Sequence, residues 1–151
     1  MKKGYIILGP ANSGKTLFVD TILSNYMKTK PNQVVWSSGR NDFSIADILR
    51  RSNRGESFDY LFIDDIHRDF KLEEYALDLM PDELTVHIKG KPAIKVSPVI
   101  ILTSPMSYTD FKSLNSFHDI VQHYHIISMD GGDAASMMSF IINVQIRLNN
   151  L

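Results

Sequence analysis

The sequence of 151 residues contains no cysteine. This absence excludes disulfide bonds, thiolate zinc sites and a cysteine nucleophile, and it is compatible with a cytoplasmic or nuclear protein. The longest apolar runs, such as residues 99–102, are far too short to cross a bilayer, so we expect no membrane anchor. Residues 1–3 are followed by glycine and a short strand-like run, which is not the core of a signal peptide.

An excess of charge of either sign is also missing, because 16 basic and 17 acidic residues leave a net charge of −1. No global field therefore attracts the chain to nucleic acid, and any such contact has to come from a local patch. Hydrophobic residues make up 44% of the sequence and charged residues 22%, which excludes a disordered chain. We expect residues 1–151 to form a single domain.

Short apolar segments alternate with amphipathic ones along the chain. The pattern predicts strands over residues 5–8, 33–36, 58–63, 99–102 and 124–128. It predicts helices over residues 17–27, 44–51, 71–79 and 109–114, and a final helix that ends near residue 149. Strands that alternate with helices are typical of an α/β fold with a mainly parallel sheet flanked by helices.

The segment between the first strand and the first helix carries the clearest motif. Residues 9–16 read Gly-Pro-Ala-Asn-Ser-Gly-Lys-Thr and fit the pattern G-x-x-x-x-G-K-[ST] without departure. The glycines let backbone amides turn inward, and the start of the helix adds partial positive charge, so the loop predicts a cradle for nucleotide phosphates. The predicted nucleotide-binding residues are Gly9, Pro10, Ala11, Asn12, Ser13, Gly14, Lys15, Thr16 and Leu17.

Two acidic residues, Asp64 and Asp65, follow the third predicted strand. Ligands of open parallel sheets bind beyond the carboxyl ends of the strands, so the pair should reach the same edge as the loop. There Lys15 can contact the β- and γ-phosphates, while Thr16 and Asp64 can hold Mg²⁺. Asp65 can orient the attacking water or accept its proton. The predicted cofactors are therefore ATP and Mg²⁺.

A basic hairpin comes between the acidic pair and the next apolar strand. Residues 84–89 and 93–97 flank Gly90-Lys91-Pro92, which predicts a β-hairpin inserted after the acidic pair. With Lys89, Lys91 and Lys95, it is the most basic local segment, and lysine contacts nucleic-acid phosphates without reading sequence. A solvated turn, in which lysine protects a strand edge, would have the same composition.

The order of these motifs resembles a known family. The loop, Asp64-Asp65, the hairpin and the strand Val99-Ile100-Ile101-Leu102-Thr103-Ser104 are similar to the superfamily 3 helicase domain of viral replication initiators. The resemblance is especially to the Rep proteins of small circular single-stranded DNA viruses, and it covers most of the length of the chain. The loop alone would not select this family, whereas the hairpin between the acidic pair and the next strand does.

The resemblance implies an AAA+-like P-loop ATPase that forms a ring, usually a hexamer, and translocates on single-stranded DNA or RNA in viral-type replication. It implies catalytic roles for Lys15, Asp64, Asp65, Thr103 and Ser104. It also implies that the hairpin lysines, Lys89 and Lys91, point into a central channel and contact the nucleic-acid backbone.

The sequence departs from the family pattern at two places. Pro105 stands where the family has asparagine after Thr-Ser, and proline offers no side-chain donor. His118 and Asp119 stand where an arginine finger is expected, and a missing finger lowers the rate by about 10³–10⁵-fold. No arginine lies between residues 68 and 147, so the remaining candidates in trans are Arg50, Arg51, Arg54 and Arg68.

Two other functions fit the same loop. A nucleoside or small-molecule kinase would need lid arginines to neutralise the transferred phosphoryl group, and the scarcity of arginine after Arg68 argues against it. A degenerate nucleotide-binding or assembly module would bind ATP with weak or no hydrolysis. Pro105 and Asp119 favour that alternative.

Overall fold

A computed structural model describes residues 2–41, 43–52, 56–129 and 134–149. The strands in this part of the chain are β1 (Gly4–Leu8), β2 (Val34–Ser38), β3 (Tyr60–Asp64), β4 (Leu84–Val86), β5 (Ile94–Val96), β6 (Val99–Ser104) and β7 (Tyr124–Ser128). The helices are α1 (Lys15–Thr29), α2 (Ile45–Ser52), α3 (Asp69–Asp78), α4 (Tyr108–Lys112), α5 (Phe117–His123) and α6 (Ala134–Asn149), with a 3₁₀ turn at Pro31–Gln33.

Five of the strands form one sheet in the order β2-β3-β6-β1-β7, and all four neighbouring pairs are parallel. This arrangement confirms the predicted α/β fold with a mainly parallel sheet. Ile6 and Leu8 of β1 pack into one apolar cluster, whereas Tyr5 and Ile7 pack into a second. A parallel sheet covered on both faces needs apolar side chains on both, which explains why its strands read as continuous apolar runs.

The hairpin and one helix differ from the prediction. Strands β4 and β5 pair antiparallel over three residues each, so residues 87–93 lie outside the ladder and the strands are shorter than predicted. Helix α5 was not predicted, because it has only seven residues and Ile120 is the buried one among them. Among the described helices, none has both the length and the apolarity needed to cross a bilayer.

A polar cluster joins α1, β3 and α6 at the amino edge of the sheet. Tyr26 donates a hydrogen bond to Asp59, and Nη1 of Arg147 lies 3.6 Å from the Asp59 carboxylate. The Arg147 guanidinium also lies 5.1 Å from the centre of the Tyr60 ring, whose hydroxyl donates to Asn143 at 2.7 Å. Burial, together with the Asp59 carboxylate, raises the pKa of Tyr26 to about 12, so this tyrosine remains a hydrogen-bond donor.

We expect Asp59→Asn to lower the free energy of unfolding by about 1–2 kcal/mol, because it removes the charge that holds both Tyr26 and Arg147. Urea denaturation measures this change. Asp78→Asn, at an exposed position, removes the same charge and should alter stability by less than about 0.5 kcal/mol. Equal losses in the two variants would contradict a stabilising role for the cluster.

Candidate functional site

The glycine loop, residues 9–14, connects β1 to α1 and has the backbone that its sequence pattern requires. Gly14 precedes α1 with φ of +88°, a left-handed conformation that side chains disfavour. At Gly9, a Cβ would lie 2.8 Å from the Ser13 hydroxyl and 3.0 Å from Cβ of Met129. Both glycines of the motif are therefore required by the geometry of the loop itself.

The side chain of Lys15 folds back over this loop. Its ammonium group donates hydrogen bonds to the carbonyl oxygens of Gly9 and Pro10, the latter at 2.8 Å. The residue is only 8% exposed, so the loop encloses most of the side chain. The positive charge is thereby held against the loop backbone, at the cleft that the loop borders.

Asp64 meets the start of α1, as the position of the acidic pair after its strand predicts. The Thr16 hydroxyl donates to the Asp64 carboxylate, with distances of 2.9 and 3.0 Å to its two oxygens. A hydroxyl and a carboxylate are hard oxygen ligands, and Mg²⁺ takes one or two such protein groups together with water and phosphate oxygens. The donor set at Thr16 and Asp64 therefore fits Mg²⁺. Within the described residues, no group of three or more acidic or histidine side chains could hold a metal.

Thr103, predicted as a catalytic residue, supports the acidic pair from behind. Its hydroxyl donates to Oδ1 of Asp64 at 2.7 Å and accepts from the Asp65 amide at 2.8 Å. Its carbonyl accepts from the Ile66 amide at 2.8 Å. These bonds hold Asp65 at φ of +65°, which is uncommon for a residue other than glycine. Thr103 is 0% exposed, and both roles of its hydroxyl are taken within the protein.

Ser104, the other residue at the end of β6 that the resemblance predicts as catalytic, does not line the cleft. It is 0% exposed, and its hydroxyl accepts a hydrogen bond from the Met106 amide at 3.2 Å. Its carbonyl accepts from the Gly9 amide at 3.3 Å. In this structure Ser104 therefore fixes the end of β6 and the start of the glycine loop.

Two residues that sequence reasoning missed contact Asp65. Nε of Arg40 lies 2.5 Å from one carboxylate oxygen, and Nε2 of His67 lies 3.1 Å from the other. Burial alone would raise the pKa of Asp65, but the hydrogen bond from Arg40 and the charge of His67 outweigh it and hold the pKa below its usual value. Arg40 follows β2, the neighbour of β3, and that adjacency becomes visible only once the strand order is known.

A cleft of about 290 Å³ brings the loop and the acidic pair together. The predicted residues that line it are Ala11, Asn12, Gly14, Lys15, Thr16, Leu17, Asp64, Asp65 and Thr103. Arg40, His67 and Pro105 line it as well. Leu17 is 68% exposed beside the cleft and offers an apolar surface there. In this cleft the Asp64 carboxylate lies beside the Thr16 hydroxyl, and the Asp65 carboxylate lies beside the Arg40 guanidinium. The space between these groups has room for an anionic ligand.

The hairpin lysines are not part of this cleft. Lys89 and Lys91 are exposed in the turn between β4 and β5, where Gly90 has φ of +80°. Lys95, on β5, lies 3.8 Å from the Glu83 carboxylate, so its charge is partly neutralised. The tip of the hairpin thus presents two exposed lysines outside the cleft.

The candidate arginine fingers lie at several places. Arg50 forms an ion pair with Asp47, and the Arg68 guanidinium lies 5.9 Å from the centre of the exposed Phe70 ring. The side chain of Arg51 and the whole of Arg54 lie outside the described residues. None of the arginines expected from the sequence lines the cleft, as far as the described side chains go.

Comparisons with known proteins include remote similarities to solved structures. No model of a known protein family matches the sequence, and no curated protein matches it. The apo structure of the NrS-1 C-terminal region in its A form is 13% identical, with a TM-score of 0.49, over 95% of this chain and 35% of that one. A second structure of that region, NrS-1 CTR(305-718), is 12% identical, with a TM-score of 0.44, over 95% of this chain and 34% of that one. The chain thus spans about a third of both structures. At this level, neither structure assigns a fold or a function to it.

Proposed function

We propose that the chain is a Mg²⁺-dependent P-loop ATPase of the superfamily 3 helicase type. The observation that carries the proposal is the 2.9 Å hydrogen bond from Thr16 to Asp64, which joins two motifs 48 residues apart in the sequence. The motif G-x-x-x-x-G-K-[ST] and an acidic strand end are separate signals, and each is common on its own. Their meeting in one cleft with Lys15 supports a nucleoside-triphosphate site.

In the proposed reaction, the loop amides and Lys15 bind the β- and γ-phosphates. Mg²⁺, when bound, neutralises charge on the phosphate oxygens, and Thr16 and Asp64 are the residues that hold it. Asp65 orients a water against the γ-phosphorus. A bond forms between the water oxygen and that phosphorus, and the bond to the β–γ bridging oxygen breaks with its electron pair leaving on ADP. The proton of the water passes to Asp65, and the products are ADP and inorganic phosphate.

The hairpin tip is the proposed contact with single-stranded DNA or RNA. Lys89 and Lys91 are exposed, and they do not line the cleft, so bound nucleotide would not cover them. In the same proposal, copies of the chain form a ring, usually a hexamer, in which successive tips face one strand. Nucleotide turnover then moves the tips along that strand.

A nucleotide-binding module with weak or no hydrolysis remains the second candidate, and one observation favours it. Pro105 lines the cleft without a side-chain donor, and the Thr103 hydroxyl is already bonded to Asp64 and Asp65. Neither side chain can therefore donate a hydrogen bond to a water or a phosphate oxygen in the cleft. Tight ATP binding without phosphate release, with or without single strands, would identify this function.

Replacement of Lys15 by alanine should lower Mg²⁺-dependent phosphate release from ATP by about 10²-fold or more, because it removes a cation from the phosphate site. Lys28→Ala removes the same charge from an exposed position of α1 and should leave the rate unchanged. Because Lys15 also bonds to the loop carbonyls, thermal unfolding of both variants shows whether the fold is retained. Full activity in a folded Lys15→Ala protein would contradict the proposal.

Replacement of Lys89 and Lys91 by alanine together should weaken binding to a fluorescent single-stranded oligonucleotide. If both lysines contact phosphates, the plot of log affinity against log salt should become less steep, with the magnitude of its negative slope lower by about 1–1.5. The matched control is Lys2→Ala with Lys28→Ala, which removes two exposed charges elsewhere. An equal effect in both double variants would exclude the hairpin as the binding site. Fluorescence anisotropy with DNA and RNA oligonucleotides of the same base sequence shows which of the two nucleic acids the protein binds more tightly.

A further inference from the structure

Arg40 lines the cleft but has no role in the ATPase reaction proposed above. Its guanidinium reaches Asp65, and its side chain lines the same cleft as Lys15 and Thr16. The preceding residue is anchored firmly, because the Gly39 amide donates to the Asp64 carbonyl at 2.5 Å. A Cβ at Gly39 would lie 2.5 Å from the Ile66 side chain, so this backbone packs tightly against the acidic turn.

The guanidinium of Arg40 is held much less firmly than the backbone beside it. The Arg40 side chain is 66% exposed and that of Asp65 is 33% exposed. An exposed ion pair of this kind contributes little stability, because water screens the charges and solvates them when they separate. The guanidinium can therefore exchange the single carboxylate for a more highly charged anion in the same cleft. A triphosphate offers that charge, and guanidinium binds phosphate oxygens in a fork geometry.

The other described arginines face different partners. Arg50 pairs with Asp47 on α2, and Arg147 lies near Asp59 at the opposite edge of the sheet. Arg68 lies over the Phe70 ring. Among the arginine side chains that the structure describes, Arg40 is the one that lines the cleft.

We propose that Arg40 is a catalytic residue that its own subunit supplies, moving from Asp65 to the γ-phosphate oxygens of ATP. This inference rests on the proposed ATPase function. The guanidinium forms no covalent bond, and it stabilises the charge that builds up on the γ-phosphate while water adds and ADP leaves. Its departure also releases the Asp65 oxygen that it contacts, while His67 stays at the other oxygen, so the released oxygen can accept the proton of the attacking water. ADP has no γ-phosphate, so with ADP bound Arg40 stays paired with Asp65.

The first test compares Arg40→Ala, Arg40→Lys and wild type. Phosphate release in Arg40→Ala should fall by about 10²–10³-fold. The preference for ATP over ADP, measured by calorimetry, should also decrease, because only ATP offers the γ-phosphate. Arg40→Lys should recover part of both, since lysine keeps the charge without the fork. Lys28→Ala, which removes an exposed positive charge on α1 outside the cleft, should change neither. Wild-type turnover and an unchanged ATP preference in Arg40→Ala would overturn the inference.

The second test mixes Arg40→Ala with Lys15→Ala protein at equal concentration. If Arg40 acts in its own subunit, each site in the mixture lacks one of the two residues and the activity stays low. If a neighbouring copy supplies Arg40, sites on Arg40→Ala subunits regain it from Lys15→Ala neighbours and phosphate release returns. Recovery in the mixture would therefore overturn the assignment to the same subunit.

The two proposals fail in different ways. A folded wild-type chain that neither binds nor hydrolyses ATP overturns the ATPase function, and the role of Arg40 with it. A wild-type chain that hydrolyses ATP, together with an equally active Arg40→Ala variant, overturns the role of Arg40 alone. Because the Arg40 side chain is largely exposed, we expect its variants to fold.

Discussion

The Asp64 carboxylate accepts hydrogen bonds from Thr16 at the start of α1 and from Thr103 in β6. The contact between Asp64 and Thr103 depends on the register of β3 and β6. Ile63 of β3 pairs with Leu102 of β6, so the next residues, Asp64 and Thr103, lie at the same level of the sheet. The parallel order then places the carboxyl ends of β1, β3 and β6 at one edge. Every chemical role proposed for the cleft follows from that meeting point.

The turn after Asp64 shows how the fold stabilises a conformation that local preferences disfavour. A residue other than glycine in the left-handed region costs of order 1–3 kcal/mol, and Asp65 has φ of +65°. Thr103 offsets this cost with its hydroxyl, bonded to the Asp65 amide, and its carbonyl, bonded to the Ile66 amide. The carboxylate of Asp65 is consequently directed into the cleft, where Arg40 and His67 meet it.

The sequence alone predicted the parts of this site that depend on local patterns. Gly9 and Gly14 are required by the loop backbone, and the apolar run before Asp64 is a strand buried on both faces. The sequence did not predict which strands are neighbours or how they pair. Arg40 lies near Asp65 because β2 is the neighbour of β3, and Thr103 contacts the acidic pair because of the register between β3 and β6. Strand order and register leave no pattern that can be recognised in a single sequence. Helix α5 was missed because a helix of seven residues with one buried residue, Ile120, has little apolar periodicity.

The central claim is that Thr16 and Asp64 form the metal-binding side of a triphosphate site. Calorimetric titration of ATP into the wild-type protein and into Asp64→Asn, with Mg²⁺ and with a chelator, measures this directly. The account predicts that Mg²⁺ strengthens ATP binding to the wild type and that Asp64→Asn loses most of this dependence. A folded wild-type protein that releases no heat with ATP and Mg²⁺, or a variant with unchanged Mg²⁺ dependence, would contradict it.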